Sequence, residues 1–236
     1  MYNTQREQWN EAFQSGKVLL IDKPLTWTSF DAVKKIRIAT GVSKVGHAGT
    51  LDPLATGLLI ICTGKYTKKI NEFMAAEKEY TGSFTLGATT PTFDLEAEPV
   101  LKGDFSIINE EKIITTTHQF TGNILQVPPA HSAIKKSGTP AYVLARKGKE
   151  VKMDPRPVTI STFEITKIDF PLVYFRVVCS TGTYIRSLAN DFGEALGCGA
   201  YLSALRRTRI GEFKVDDAES IESFVEHVTK LKNQSV

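Results

Sequence analysis

Long hydrophobic runs are missing from this 236-residue chain: the longest, residues 58–62, is only strand-sized, far short of the roughly 20 residues that cross a bilayer. Residues 1–14 mix Arg6, Glu7 and Glu11 with polar side chains and have no apolar core, which excludes a signal peptide and leads us to expect a cytoplasmic protein. Cysteine is scarce. Cys62, Cys179 and Cys198 are odd in number, widely spaced and set in apolar or glycine-rich stretches, with no CxxC or HExxH pattern. Buried free thiols are therefore expected rather than a disulfide framework or a metal site. A surplus of either charge is missing too. The 29 Lys and Arg against 26 Asp and Glu leave +3 and a pI near 8.6, below the value of about 9 that alone would suggest nucleic acid. With 42% hydrophobic and 23% charged residues, disorder is excluded and a substantial core is expected.

What is present is an interleaving of strand-like and helix-like stretches with no linker, which predicts an α+β fold in a single domain over residues 1–236. Residues 17–22 (KVLLID) form a strand, and Thr28 or Ser29 caps a helix with Ala32, Val33, Ile36 and Ala39 at helical spacing. Residues 46–57 are expected to be a loop, 58–62 a buried strand, and 66–74 a short amphipathic helix. Tyr80, Gly82, Phe84 and Leu86 alternate as in a half-buried strand. Residues 92–111 carry six carboxylates against one Lys and read as a solvated connection, after which Asn109 caps a helix to about Phe120. Strands are expected at 123–127, 158–165 and 172–179. A helix then carries Tyr184, Leu188, Ala189, Phe192 and Leu196 on one side, and a last helix over 218–230 buries Ile221, Phe224, Val225 and Val228.

The densest chemistry lies in residues 45–59, VGHAGTLDPLATGLL, where three glycines, a histidine and one aspartate precede a buried strand. Neither GxxxxGK[ST] nor GxGxxG occurs, so a phosphate cradle is excluded. On spacing alone Asp52 before Pro53 is as well explained by a turn as by catalysis. His47 alone reads as a hydrogen-bonded structural histidine.

The run GHAGTLDPLATGLL, residues 46–59, resembles the signature loop of the TruB-type tRNA pseudouridine-55 synthases. Further stretches stand in that family's order: Asp22-Lys23-Pro24 with Thr28-Ser29, Lys78-Glu79-Tyr80, residues 126–146, residues 182–188 (GTYIRSL), and Leu205-Arg206-Arg207-Thr208. The resemblance covers about residues 16–213. It implies a pseudouridine-synthase-like mixed, largely antiparallel sheet flanked by helices, with an RNA-binding insertion over about residues 126–157. It also implies isomerisation of uridine in the T-arm of tRNA, without metal or organic cofactor, by a protein acting as a monomer. Asp52 would be the catalytic carboxylate, Arg186 its cationic partner, and Tyr80 the aromatic that packs on the target base. Tyr184 and Leu205 would line the uracil pocket, and His47 would contact RNA around the flipped nucleotide. Lys23, in Asp22-Lys23-Pro24, and Lys135 and Arg146, in the insertion, would serve binding.

The charge distribution accords with that substrate. Residues 131–157 carry seven Lys and Arg against two acids, and Arg206, Arg207, Arg209 and Lys214 against Glu212 add a second basic stretch suited to phosphates. Three features depart from the family. Thr26 stands where a glycine is common, Pro140 where a cation is common, and only 23 residues follow Phe213, so the small C-terminal RNA-binding domain of longer relatives is expected to be absent. Two rivals remain at this point. A non-catalytic RNA-binding protein or tRNA-folding chaperone would need the basic insertion but not Asp52, Tyr80 and Arg186 together. A nucleobase glycosylase would also use an Asp near C1′ but would release free base.

Overall fold

A computed structural model describes residues 11–136 and 138–233; residues 1–10, part of the stretch in which no signal peptide is expected, lie outside the described residues. Fourteen strands follow in order among them: β1 (Val18–Lys23), β2 (Val45–Ala48), β3 (Ala55–Thr63), β4 (Lys78–Leu86), β5 (Ala88–Thr89), β6 (Val100–Leu101), β7 (Gly122–Gln126), β8 (Lys135–Lys136), β9 (Thr139–Pro140), β10 (Arg156–Asp169), β11 (Leu172–Cys179), β12 (Ala200–Ile210), β13 (Phe213–Lys214) and β14 (Glu219–Ser220). The chain forms two compact units, one of residues 1–79 with 206–236 and one of residues 80–205.

In the first unit β3 is the centre. It pairs antiparallel with β1 from Val18↔Cys62 to Lys23↔Gly57, and with β2 from Val45↔Thr63 to Ala48↔Ile60; β14 joins β1 in parallel. Successive strand side chains point to opposite faces, so the run LLIIC supplies two cores at once. Leu59 and Ile61 join the helices Ser29–Thr40 and Ile221–Asn233 on one face, while Leu58, Ile60 and Cys62 pack with Ile210 and Val215 on the other. Ile221, Phe224 and Val228 are buried as expected, with Val225 half-buried. Thr28 caps the first helix in a full capping box with Asp31.

Two expectations fail here. The segment 46–57 is not all loop, because residues 45–48 form β2. Gly46 serves packing rather than a turn, since a Cβ there would lie 2.8 Å from the Ile70 side chain. The expected helix over 66–74 is a 3-10 segment, Gly64–Lys69, followed by a six-residue helix, Ile70–Ala75, whose Ile70 and Phe73 are only partly buried.

In the second unit, β10 and β11 form an antiparallel hairpin with two register shifts, and β7 continues the sheet beyond β10. Phe84 stacks on Phe175 at 4.2 Å and meets Phe163 and Phe192, so β4, the hairpin and the helix Ile185–Leu196 share one aromatic core. Gly82 and Gly193 permit the closest approaches: a Cβ would stand 2.1 Å from the Ala204 carbonyl oxygen and 2.0 Å from the Ala200 nitrogen. Asn109 caps the helix Glu110–Thr116 through the Lys112 N–H at 2.8 Å. All three cysteines are free and buried. Each unit thus layers helices on a largely antiparallel sheet, the α+β architecture expected.

The Thr26 turn is held under strain. Its φ is +69°, so a β-branched residue occupies the left-handed conformation that a glycine adopts freely. Its N–H still donates to the Pro53 carbonyl at 2.8 Å, and the strained backbone costs about 1–2 kcal/mol. Thr26→Gly is expected to raise unfolding stability by roughly 1 kcal/mol, the strain relief less the added chain entropy. Equal or lower stability in urea denaturation would contradict this account.

Candidate active site

The loop between β2 and β3 carries Asp52 and is fixed from three directions within the first unit. Ser29 clamps the preceding residue: its hydroxyl accepts from the Leu51 N–H at 2.9 Å and donates to the Leu51 carbonyl at 3.1 Å. The Ala55 N–H donates to the Asp52 carbonyl at 3.0 Å, closing the turn. Lys23, wholly buried, donates to the carbonyls of Trp27 at 2.6 Å, Pro24 at 2.9 Å and Pro53 at 3.5 Å. Burial brings the Lys23 ammonium down to about 8, with the Asp52 carboxylate opposing that fall, so at neutral pH Lys23 keeps its proton beside Asp52. Lys23 thus stands behind the loop that carries Asp52, its ammonium turned to backbone carbonyls.

Arg207 supplies the third anchor, and sequence reading placed it wrongly. It is 1% exposed, donating from Nε to the Leu58 carbonyl at 2.8 Å and from Nη2 to the Gly49 carbonyl at 3.0 Å. Gly57 (φ +101°) makes room for its backbone, since a Cβ there would stand 2.3 Å from the Arg207 oxygen. The rest of that basic stretch is also engaged by protein. Arg206 forms a two-pronged ion pair with Asp22 at 3.0 and 2.7 Å, and Arg209 pairs with Glu77 at 3.0 Å. The three guanidiniums of the second basic cluster therefore all face protein partners distant in sequence. His47, half-buried on β2, has a pKa lowered by burial and by Arg207, with the Gly49 backbone pulling the other way. Its Nδ1 is buried without a hydrogen-bond partner among the described residues.

The second unit holds the remaining candidates. Tyr80 lies buried on β4. Arg186, buried in the first turn of the helix Ile185–Leu196, donates to the carbonyls of Thr92 at 3.2 Å and His131 at 3.0 Å, and its Nε lies 3.6 Å from Asp94. Asp94 is the residue missed. It falls in the acidic stretch read as solvated, yet it is 4% exposed. The preceding Phe93 has φ +64°, a conformation rare for an aromatic residue and found at constrained sites. Tyr184 and Leu205 are half-buried. Gln126 brackets the Tyr184 backbone, its carbonyl accepting from the N–H at 2.8 Å and its amide donating to the C=O at 3.1 Å. The start of the insertion thereby fixes the start of the Arg186 helix. Ser132 Oγ is buried without a partner among the described residues.

Within the insertion, Lys135 is exposed on the short β8–β9 hairpin and Arg146 lies over the Tyr142 ring while pairing with Glu96 at 3.6 Å. Lys136 pairs with Asp154. Lys135, Lys147, Lys149 and Lys152 are exposed and show no ion pair among the described residues. Among those residues no group of three or more His, Cys, Asp or Glu is arranged to hold a metal, and no helix is long and apolar enough to cross a membrane.

Comparison with known proteins draws these features together. The TruB family pseudouridylate synthase N-terminal domain matches residues 37–185, and the tRNA pseudouridylate synthase B C-terminal domain matches residues 186–235. A protein named tRNA pseudouridine synthase B from Flavobacterium johnsoniae is 53% identical over 223 residues, covering 92% of this chain and 97% of its own. Its namesake from Phocaeicola vulgatus is 49% identical over 230 residues, covering 95% and 98%. A crystal structure of a Cbf5-Nop10-Gar1 complex is similar with a TM-score of 0.76 at 32% identity, over 98% of this chain and 59% of that one. With a family match over residues 37–185 and relatives about half identical along nearly their whole length, the chain belongs to the TruB family of pseudouridylate synthases, which are isomerases.

Proposed function

We propose that the protein converts uridine to pseudouridine at position 55 in the T-loop of tRNA, flipping the base out of its stack and using Asp52 to rearrange the glycosidic bond. The observation that carries this reading is Asp52 itself: the one acid of its loop, on a turn pinned by Ser29, Lys23 and Arg207. Pre-set backbone around a reacting carboxylate is what positional catalysis requires.

In the reaction the N1–C1′ bond breaks, uracil rotates, C5 bonds to C1′, and the C5 proton leaves to solvent while N1 regains one. Substrate and product are isomers, so no oxidant, reductant or co-substrate enters the balance. Asp52 acts near C1′ as nucleophile or base. Tyr80 packs on the base, Arg186 offsets carboxylate charge, and Tyr184 and Leu205 present flat and apolar surface to the uracil. Burial and the neighbouring Arg207 lower the pKa of His47, which suits it to a hydrogen bond to RNA better than to a phosphate ion pair. The insertion grips the T-arm, with Lys135 and Arg146 among its cations.

An unmodified tRNA transcript carrying tritium at uridine C5 tests the proposal: the protein is expected to release tritium and to leave the strand intact. Absence of release would favour the chaperone, and free base would favour the glycosylase. Replacing Lys135, Lys136, Arg146 and Lys147 by Gln is expected to weaken tRNA binding and to flatten its salt dependence, by roughly 0.7–0.9 in log–log slope for each phosphate no longer neutralised. An unchanged slope would return these residues to a merely solvated face.

A further inference from the structure

The helix Ser29–Thr40 buries Ala32, Val33 and Ile36 against the core of its unit. Its outer side is unusual. Phe30 (63% exposed), Lys34 and Ile38 (68% exposed) follow at intervals of four and so form one ridge, and Leu25 (53% exposed) stands in the preceding turn. A groove of about 390 Å³ opens along this side, lined by Thr26, Trp27, Asp31, Lys34, Lys35 and Ile38. Its only acid is already engaged, Asp31 accepting from the Thr28 N–H at 3.0 Å and hydroxyl at 2.6 Å. Lys34 and Lys35 are exposed and make no ion pair among the described residues. The groove thus brings the Trp27 ring and the exposed Ile38 side chain together with two cations. It also shares its helix with Ser29, which holds the residue before Asp52.

We propose that this groove is a second docking surface for the RNA substrate, taking a stretch of the strand outside the reacting nucleotide, with phosphates at Lys34 and Lys35 and an unpaired base face on Trp27 and Ile38. The proposal rests on the reading of the protein as an RNA-modifying enzyme. Cations beside aromatic and apolar faces are the pattern of single-stranded nucleic-acid sites, where stacking is tolerant of sequence.

The test compares wild type with the Lys34→Gln/Lys35→Gln pair, both residues being exposed and Gln a good helix former, so the fold is kept. Binding of an unmodified tRNA transcript is expected to weaken about tenfold, with a fall of roughly 1.4–1.8 in the log–log salt slope for two phosphates. An unchanged affinity and slope, with an unchanged melting curve, would overturn the proposal. So would loss of self-association in sedimentation at unchanged tRNA affinity, which would make the face a protein interface. Tritium release by the wild type is measured in parallel: its failure removes the enzymatic reading, while tRNA affinity still decides the groove.

Discussion

Asp52→Asn is expected to lower tritium release by roughly 10⁴-fold while leaving tRNA affinity within about threefold of wild type. The substitution is close to isosteric and leaves the loop's fastenings in place. Ala55 donates to the backbone carbonyl of residue 52, and Ser29 and Lys23 bind the backbones of Leu51 and Pro53. Asparagine is also at ease in turns. What is removed is the charge, and its absence has a second signature. The Asp52 carboxylate is what raises Lys23 against burial, so in the variant the Lys23 ammonium is expected to titrate below about 8 in a side-chain NMR measurement. Retained turnover would remove Asp52 from the chemistry. Abolished turnover with an unmoved Lys23 would show that the two charges do not communicate.

The contrast between Asp52 and Asp94 shows where sequence reading works and where it stops. Local patterns were legible because their causes are local. Residues 172–179 are a strand since apolar residues fill nearly every position, Asn109 caps a helix by accepting from the Lys112 N–H, and of the two caps the sequence left open, Thr28 and Ser29, the structure uses Thr28. Asp52 was singled out through a fourteen-residue match, and its role is what the variant tests. Residues 46–48 misled because a glycine and a histidine read as a loop, although Gly46 is there to admit Ile70. Buried charge was the real blind spot. Nothing near Asp94 in the sequence says that Arg186 lies beside it, and nothing near Arg207 says that its guanidinium meets the carbonyls of Gly49 and Leu58. A count of lysines and arginines treats Arg206, Arg207 and Arg209 as phosphate ligands. Only the tertiary structure shows that Asp22, two carbonyls and Glu77 hold them.

Asp94→Asn is expected to cost about 3 kcal/mol of stability and about 10²-fold in turnover at saturating tRNA, measured well below the variant's melting temperature. Both side chains of the Arg186–Asp94 pair are 6% exposed, so water contributes little to either charge. Asparagine keeps an oxygen for the Glu96 N–H, which the carboxylate accepts at 3.0 Å, so the local turn survives while the negative charge beside the guanidinium is removed. The backbone is arranged to hold that charge in place. The hydroxyls of Thr90 and Thr92 donate to the Asp94 carbonyl at 2.7 and 3.1 Å, the Leu202 N–H donates to the Phe93 carbonyl, and Phe93 is kept at positive φ. Such a conformation costs of order 1–3 kcal/mol and persists only where its neighbours over-determine it, as they do here. If the segment serves only to tie a loop, the variant should lose stability and keep its turnover. If it aims Arg186, turnover must fall even where the variant is fully folded, and Asp94→Glu, which restores the charge but lengthens the arm, should recover stability more than rate.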